Sequence, residues 1–508
     1  MTDSPLQVAA AVIVKGRRVL LALRRDKEGN PLGWEFPGGK RQDGETFAAC
    51  AEREIFEELH LKIRACAVID DRTTVLPSGQ AIRLVAVVCK IEEGEPLLSE
   101  HAALAWVPRK KLLDYDLLAP DVPLAKKLQS GKISFPKNPP PRELALYLHI
   151  PFCLKKCAYC SFYSLPWKKE KSDKFLETLI YQIENYLPLL PYQKLSSVYV
   201  GGGTPSCLPE KDVPEILQAI KGAIAWPSGI ECTVECNPAT DLQNKLKDWR
   251  ASGVNRLSLG VQSFCEDELK TLGRLHSATQ AKAAVFLIQA ARFENFSLDF
   301  IYGIPHQTME SFEKSLKEAL ALHPKHLSFY ALTLEKGTPL YKAKTKLPDE
   351  NLVMDEYWRA REILEAQGYQ MYEISNAALP GFESRHNQTY WDTEKHYFGL
   401  GPGAHSFCLL PGKTRFTRAH YSAKLVKFKK DSRPKIAVPL SVKKSAGERI
   451  YLGLRRAEGV ALKEKDEKLF KKEIAALLER GLISREGEKI KLTRRGIELA
   501  NEVMSEFV

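Results

Sequence analysis

Apolar and polar positions fall into two periods along this chain. Residues 8–14 and 19–23 are short apolar runs on either side of Lys15-Gly16, which predicts two strands and a turn. Over 46–59 the period lengthens. Phe47, Ala51, Ile55 and Leu59 recur at helical spacing behind Thr46, whose hydroxyl can cap a helix. From Glu143 the two periods alternate: apolar runs at 144–150, 197–200, 231–235, 256–261, 297–302 and 326–332 are separated by helical stretches such as 174–186, 213–224 and 279–291. Six such βα units predict a parallel sheet with right-handed crossovers. Near the end, Leu469, Ile474, Leu477 and Leu478 mark a helix, 481–492 a hairpin and 493–507 a last helix.

The punctuation between these blocks sets the domain organisation. Pro136, Pro139, Pro140 and Pro141 disfavour helix and sheet, so 134–142 reads as a stiff extended linker. The expected fold is α/β multidomain: a first domain at 1–133, that linker, an incomplete (βα)6 TIM-like barrel at 143–375, and a region at 376–508 with a small winged-helix-like end. Nothing chemical connects the two sides of the linker, so no intermediate is expected to pass between them and the fusion reads as serving co-expression alone.

Composition narrows the class. The 508 residues suit about three domains. Hydrophobic content of 44% and charged content of 27% are ordinary for a globular protein, which argues against disorder. No apolar run reaches the ~18 residues of a membrane span, and Met1-Thr-Asp-Ser-Pro lacks the layout of a signal peptide. Eleven cysteines at irregular spacing do not form a disulfide framework, and the expected location is the reducing cytoplasm. The net charge of +12 is spread over many Lys and Arg positions. That suits nucleotide phosphates or porphyrin carboxylates better than nucleic acid.

The chemistry centres on Cys153-Leu-Lys-Lys-Cys157-Ala-Tyr-Cys160. A thiolate trio can hold a four-iron cluster and leave one iron open for a ligand. Zinc would want a fourth Cys or His, and Ser161 and Phe162 follow. Polar residues punctuate the strand ends of the barrel: the cysteine loop, Gly201-Gly-Gly-Thr204-Pro, Glu235, Gln262, Asp299 and Tyr330-Ala331. One such group could be structural; a full rim of them marks a site, because barrel functions gather at the C-terminal strand ends. Tyr147-Leu-His149-Ile-Pro-Phe-Cys153-x3-Cys157-x-Tyr159-Cys160 resembles the radical S-adenosylmethionine (SAM) proteins related to oxygen-independent coproporphyrinogen III oxidase. The oxidase has a further Cys where Phe162 stands, so the pattern is closer to the branch regarded as heme chaperones. The resemblance implies a [4Fe-4S] cluster on Cys153, Cys157 and Cys160. It implies SAM held by Tyr147, Tyr159, Gly202, Gly203, Thr204, Glu235, Gln262, Arg274, Asp299 and Ala331, with flavodoxin or ferredoxin as a candidate electron donor.

In the first domain, Gly33-Trp-Glu-Phe-Pro-Gly38-Gly39-Lys40 precedes a helix on which Glu54, Glu57 and Glu58 share one side. Alone, such a helix is a solvated acidic face; beside a glycine loop it suits Mg2+. Gly39-x5-Glu45-x7-Arg53-Glu54-Ile55-x-Glu57-Glu58-x-His60-Leu61 resembles the Nudix hydrolase box, with His60 at the family's glycine. The resemblance implies an α/β/α sandwich that cleaves a nucleoside triphosphate. Glu54, Glu57 and Glu58 would bind Mg2+, Arg53 would orient them, and Glu45 would support the loop. By similarity to the triphosphate-cleansing subgroup, Arg25 contacts phosphate, Glu100 is an extra metal carboxylate and Asp121 reads the base edge. Asp121 is equally a plain turn aspartate after Pro120.

Past the barrel, Arg385-His386-Asn387-Gln-Thr-Tyr390-Trp391 and Gly399-Leu-Gly-Pro-Gly403-Ala-His405 combine His, aromatic and Gly residues. Taken alone, a His among aromatics is usually structural. By resemblance to the chaperone branch, His386 and then His405 are candidate ligands to heme iron, and the heme passes to an acceptor hemoprotein. The rivals are coproporphyrinogen decarboxylation and a nucleic-acid regulator acting through the winged helix.

Overall fold

The computed structural model describes residues 5–508 except 27, 77, 132, 134, 136–138 and 414, so Ser134 and residues 136–138 of the expected linker lie outside the described residues. The first domain is a seven-stranded sheet between two helices. Its strands run in the order Pro31–Glu35, Arg18–Arg25, Leu6–Lys15, Ala81–Glu93, Lys62–Val75, with Gly38–Lys40 and Ala103–Pro108 paired beside them. Alternation along Leu6–Lys15 sends Ala9, Ala11 and Ile13 to the face under helix Phe47–Leu59. Ala10 and Val12 go to the face under helix Val122–Gln129.

Helix Phe47–Leu59 begins at Thr46, whose hydroxyl accepts from the Ala49 N–H, and ends at His60 with φ 51° and ψ 27°. A side chain in that left-handed conformation is disfavoured, and glycine relieves it. Replacing His60 with Gly should stabilise the domain by about 1 kcal/mol and raise its melting midpoint by a few degrees, read by scanning calorimetry. A lower midpoint would show that the imidazole makes compensating contacts.

The second body is a twelve-stranded sheet. Six parallel strands stand in the order Glu143–Ile150, Lys194–Gly202, Glu231–Cys236, Arg256–Gln262, Phe296–Tyr302, His326–Ala331, with crossover helices that include Lys169–Tyr186, Asp212–Ala223, Ala278–Ala290 and Met309–Leu320. A seventh parallel strand, Tyr397–Leu400, pairs with Glu143–Ile150 on the opposite edge. His405–Cys408, Thr417–His420 and Lys435–Ile436 continue from it antiparallel, and Asn376–Ala378 closes onto His326–Ala331. Strands from beyond 376 are thus members of this sheet, so the division expected at 375/376 does not coincide with a break in it. The physical reason is that sheet pairing is non-local, and nothing near 375 in the sequence announces it.

The end of the chain has its own core around Ile450, Phe470, Leu477 and Phe507. It carries a three-stranded sheet of Val460–Ala461, Lys489–Leu492 and Ile483–Glu486. The expected last helix is two short ones, Arg494–Glu498 and Ala500–Ser505. This unit is bonded to the larger body: the Ile374 N–H donates to Arg455 O at 3.1 Å, Ala457 N–H to Tyr372 O at 3.0 Å, and Trp358 Nε1 to Glu498 at 2.9 Å. Among the described residues no helix is long and apolar enough to cross a membrane.

Candidate functional site

The cysteine loop leaves the parallel strand Glu143–Ile150 and is closed at its base by a two-residue ladder, Leu165 opposite Phe152 and Pro166 opposite Cys153. Thr204 Oγ1 donates to Cys153 Sγ at 3.5 Å, and Arg274 Nη1 donates to Cys157 Sγ at 3.3 Å while Nη2 donates to Gly260 O. Burial pushes the Cys153 and Cys160 thiols up, so loading metal would release protons. All eleven cysteines are free.

The loop opens onto a cavity of about 500 Å³ at the C-terminal strand ends. Of the expected SAM contacts, Tyr159, Gly202, Gly203, Thr204, Glu235, Gln262, Arg274, Asp299 and Ala331 all line it together with the three thiols. Tyr147 does not; it is bonded through its hydroxyl to His149 Nδ1 at 3.0 Å. Glu235 accepts from Tyr199 OH at 2.9 Å and from the Gly202 N–H at 3.0 Å, and burial pushes its carboxyl up to about 7. Asp299 accepts from Ser258 Oγ at 2.8 Å. The glycines have a reason inside the protein itself: a Cβ at Gly202, where φ is +108°, would overlap the His149 ring at 2.5 Å, and one at Gly203 would meet Phe152 O at 2.5 Å. Asn387 and Ser384 also line the cavity; sequence reasoning passed over them for their neighbour.

That neighbour, His386, departs from expectation. It is 1% exposed, Nδ1 is bonded to Ser197 Oγ at 2.8 Å and Nε2 to Tyr390 OH at 2.9 Å, and its ring stacks on Tyr199 at 5.1 Å. Burial pulls its pKa down to about 3. As folded, it presents neither nitrogen to a heme, because its position on helix Arg385–Tyr390 turns it into the core. His405 is exposed on strand His405–Cys408, stacked on His420 at 5.4 Å.

In the first domain the glycine loop lies directly on the carboxylates: a Cβ at Gly39 would sit 2.1 Å from Glu54 Oε2. Arg53 is the hub. Its Nη1 donates to Glu54 at 2.8 Å and Glu57 at 3.0 Å, and its Nη2 to Glu45 at 2.8 Å and Lys40 O at 3.0 Å. Glu58 Oε2 is buried without a partner. Burial pushes the Glu58 carboxyl up to about 7, and the charges of Glu54, Glu35 and Glu100 add to it. Glu35 and His101 were not anticipated; they face each other at 3.6 Å, and His101 is 4% exposed. Arg24, not Arg25, donates to Glu35 at 3.1 Å; both arginines are exposed at the strand end. Asp121 is buried; burial, with Glu35 adding, pushes its carboxyl up to about 8. It makes no side-chain cap to the helix it precedes. Among the described residues no three His, Cys, Asp or Glu side chains are drawn onto a single ion-sized point.

The NUDIX domain model matches residues 5–128, and the Radical SAM superfamily model matches residues 147–319. The chain therefore joins a Nudix hydrolase domain to a radical SAM protein. The heme chaperone HemW of Lactococcus lactis is 35% identical over 373 residues, which are 71% of this chain and 96% of that protein. HemW of Bacillus subtilis is 34% identical over 378 residues, 71% of this chain and 98% of that protein. The chain belongs to the heme chaperone HemW family. Among solved structures, coproporphyrinogen III oxidase (HemN) from Escherichia coli superposes with a TM-score of 0.62 over 72% of this chain and 90% of that one, at 23% identity, a likeness of fold alone.

Proposed function

We propose that residues 143–508 bind a [4Fe-4S] cluster, SAM and heme and deliver the heme to an acceptor hemoprotein in the reducing cytoplasm, while residues 1–133 hydrolyse a nucleoside triphosphate with Mg2+. The observation that carries the larger part is the convergence of Cys153, Cys157 and Cys160 on a cavity rimmed by strand-end polar groups, in a chain of the HemW family. The donor set fits a cluster: three soft thiols, with the Arg274 guanidinium donating to the Cys157 sulfur. When bound, the cluster supplies a site for the SAM amine and carboxylate and an electron for its sulfonium. The chain does the rest. Glu235, with both oxygens already oriented, accepts from ribose hydroxyls; the narrow Gly202-Gly203 passage brings the third glycine against the cluster loop. The incomplete barrel and the winged-helix reading of the last unit belong to the same proposal, with that unit docked on the barrel and not on nucleic acid. An electron donor such as flavodoxin or ferredoxin would serve the cluster.

In the hydrolase the orphaned Glu58 oxygen fits a divalent cation, with Glu54, Glu57 and Glu100 beside it. A divalent cation held by these carboxylates would supply polarisation of the diphosphate linkage and activation of water. Arg53 fixes the carboxylates through its fork of hydrogen bonds, Arg24 with Arg25 meets phosphate, and Asp121 reads the base edge.

Heme is assigned to the exposed face bearing His405. Replacing His405 with Ala should remove most bound heme, measured by the pyridine hemochrome assay, and leave iron–sulfur content unchanged. The buried His386→Ala change should lower SAM affinity through Tyr199 and Glu235. Heme lost only with His386→Ala, at intact SAM binding, would reverse the assignment. Coproporphyrinogen decarboxylation is the weaker reading, since exposed Phe162 holds the place of the oxidase's extra Cys. Protoporphyrinogen formed from coproporphyrinogen would replace the chaperone reading.

A further inference from the structure

We propose that the Nudix domain is the floor of the barrel, and that its carboxylate helix is held in working position by the barrel. The two bodies meet at the N-terminal ends of the parallel strands, across the barrel from the cysteine loop: Arg142 and Gln193 immediately precede Glu143–Ile150 and Lys194–Gly202. Helix Phe47–Leu59 starts inside this seam. Thr46, its cap, donates through Oγ1 to Tyr192 O at 2.6 Å, and the Gly44 N–H donates to Gly222 O at 3.1 Å. One turn along, Glu52 accepts from the Ala65 N–H at 2.8 Å, from Arg142 Nη1 at 3.1 Å and from Gln193. Arg142 Nη2 also pairs with Glu92 at 3.1 Å. Arg83 packs on buried Phe47 and donates to Asn185 O at 3.0 Å, and the Gly412 N–H donates to Val68 O at 2.8 Å.

The apolar side chains agree with the polar ones. Phe47 and Ile55 of the helix belong to the same continuous buried cluster as Leu187, Tyr192 and Leu410 of the barrel. Tyr192, whose carbonyl receives Thr46, is itself fixed: its hydroxyl is bonded to His396 Nδ1 at 2.7 Å and accepts from the Leu409 N–H at 2.9 Å. Arg53, Glu54, Glu57 and Glu58 ride on the helix this seam anchors, and reacting geometry tolerates displacements of well under 1 Å. The barrel is thus part of what holds the hydrolase helix in place, and the described end of the expected spacer is itself tied to the first domain, Pro140 O accepting from Arg64 Nη2 at 2.6 Å.

The inference rests on the hydrolase reading of the first domain, and its test has an arm that does not. In the full chain, Arg142→Glu with Gln193→Glu sets like charges against Glu52 and Glu92. Hydrogen–deuterium exchange should quicken over 44–52 and 185–193 together, and nucleoside triphosphate hydrolysis should fall at least about 10-fold at unchanged iron content. Exchange over 44–52 at the wild-type rate would overturn the proposal, and so would quickened exchange with undiminished hydrolysis. If the double change also loses iron, the single Gln193→Ala variant is judged by the same two outcomes. A wild-type chain that hydrolyses no nucleotide would instead refute the hydrolase reading, while the exchange result would still decide the docking.

Discussion

Alanine in place of Cys153 should empty the barrel of iron and sulfide, abolish the visible iron–sulfur absorption and weaken SAM binding at least about 100-fold. The size of the effect follows from the donor count. The loop carries only these three thiols, and the cavity's other thiol, Cys236, is buried at the end of Glu231–Cys236 and donates to Val234 O at 3.8 Å, so it does not stand in for a loop ligand. Cys153 is also tied to the base ladder and to Thr204, so its loss frees that corner of the loop as well. SAM affinity falls with it, because Glu235 and Asp299 hold only the nucleoside side of the ligand. Nucleotide hydrolysis should survive, since the Nudix domain meets the opposite strand ends and, among the described residues, the seam contacts named above do not involve the cysteine loop. Iron and sulfide analysis, calorimetric titration with SAM and a phosphate-release assay check the three parts. Full iron with normal SAM binding, or stoichiometric zinc on the wild-type thiols, would defeat the assignment.

Local features of the sequence were legible because their physics is local. Helix Phe47–Leu59 was announced by a cap hydroxyl and an apolar stripe, and the thiol spacing pointed to the cavity. What failed was what depends on distant pairing or on one step of helical phase. Tyr397–Leu400 carries no mark of belonging beside Glu143–Ile150. His386 and Asn387 are adjacent in sequence, yet about 100° apart around a helix, so the imidazole enters the core and the amide lines the cavity. Arg24 and Arg25 are both exposed, and only a register shift between them sets which one reaches Glu35. The seam beneath the barrel was invisible for another reason. Several of its acceptors are backbone carbonyls, of Tyr192, Gly222 and Asn185, and every residue has one.

Glu58→Gln should lower nucleotide hydrolysis roughly 1000-fold while leaving the metal-free protein at least as stable as the wild type. The two halves of this expectation pull in opposite directions, and the burial of one oxygen explains both. The Glu58 carboxyl moves from its ordinary 4.5 to about 7 because it is buried; His101 opposes the rise, and Glu54, Glu35 and Glu100 add to it. A carboxyl raised in this way contributes stability that is fully present below its unfolded value and is lost as pH rises through 7. At pH 8 the metal-free fold therefore carries an unwelcome anion, whose Oε2 has no partner. Glutamine keeps the shape, is neutral at every pH and removes that burden. It also removes the charge a divalent cation needs. Mg2+ should raise the melting midpoint of the wild type at pH 8 and not that of the variant, because only the wild type has an anion for the cation to neutralise. Hydrolysis by Glu58→Gln within about 3-fold of wild type, together with an undiminished Mg2+ shift, would mean that the buried oxygen faces no metal and that the acidic helix is held by Arg53 alone.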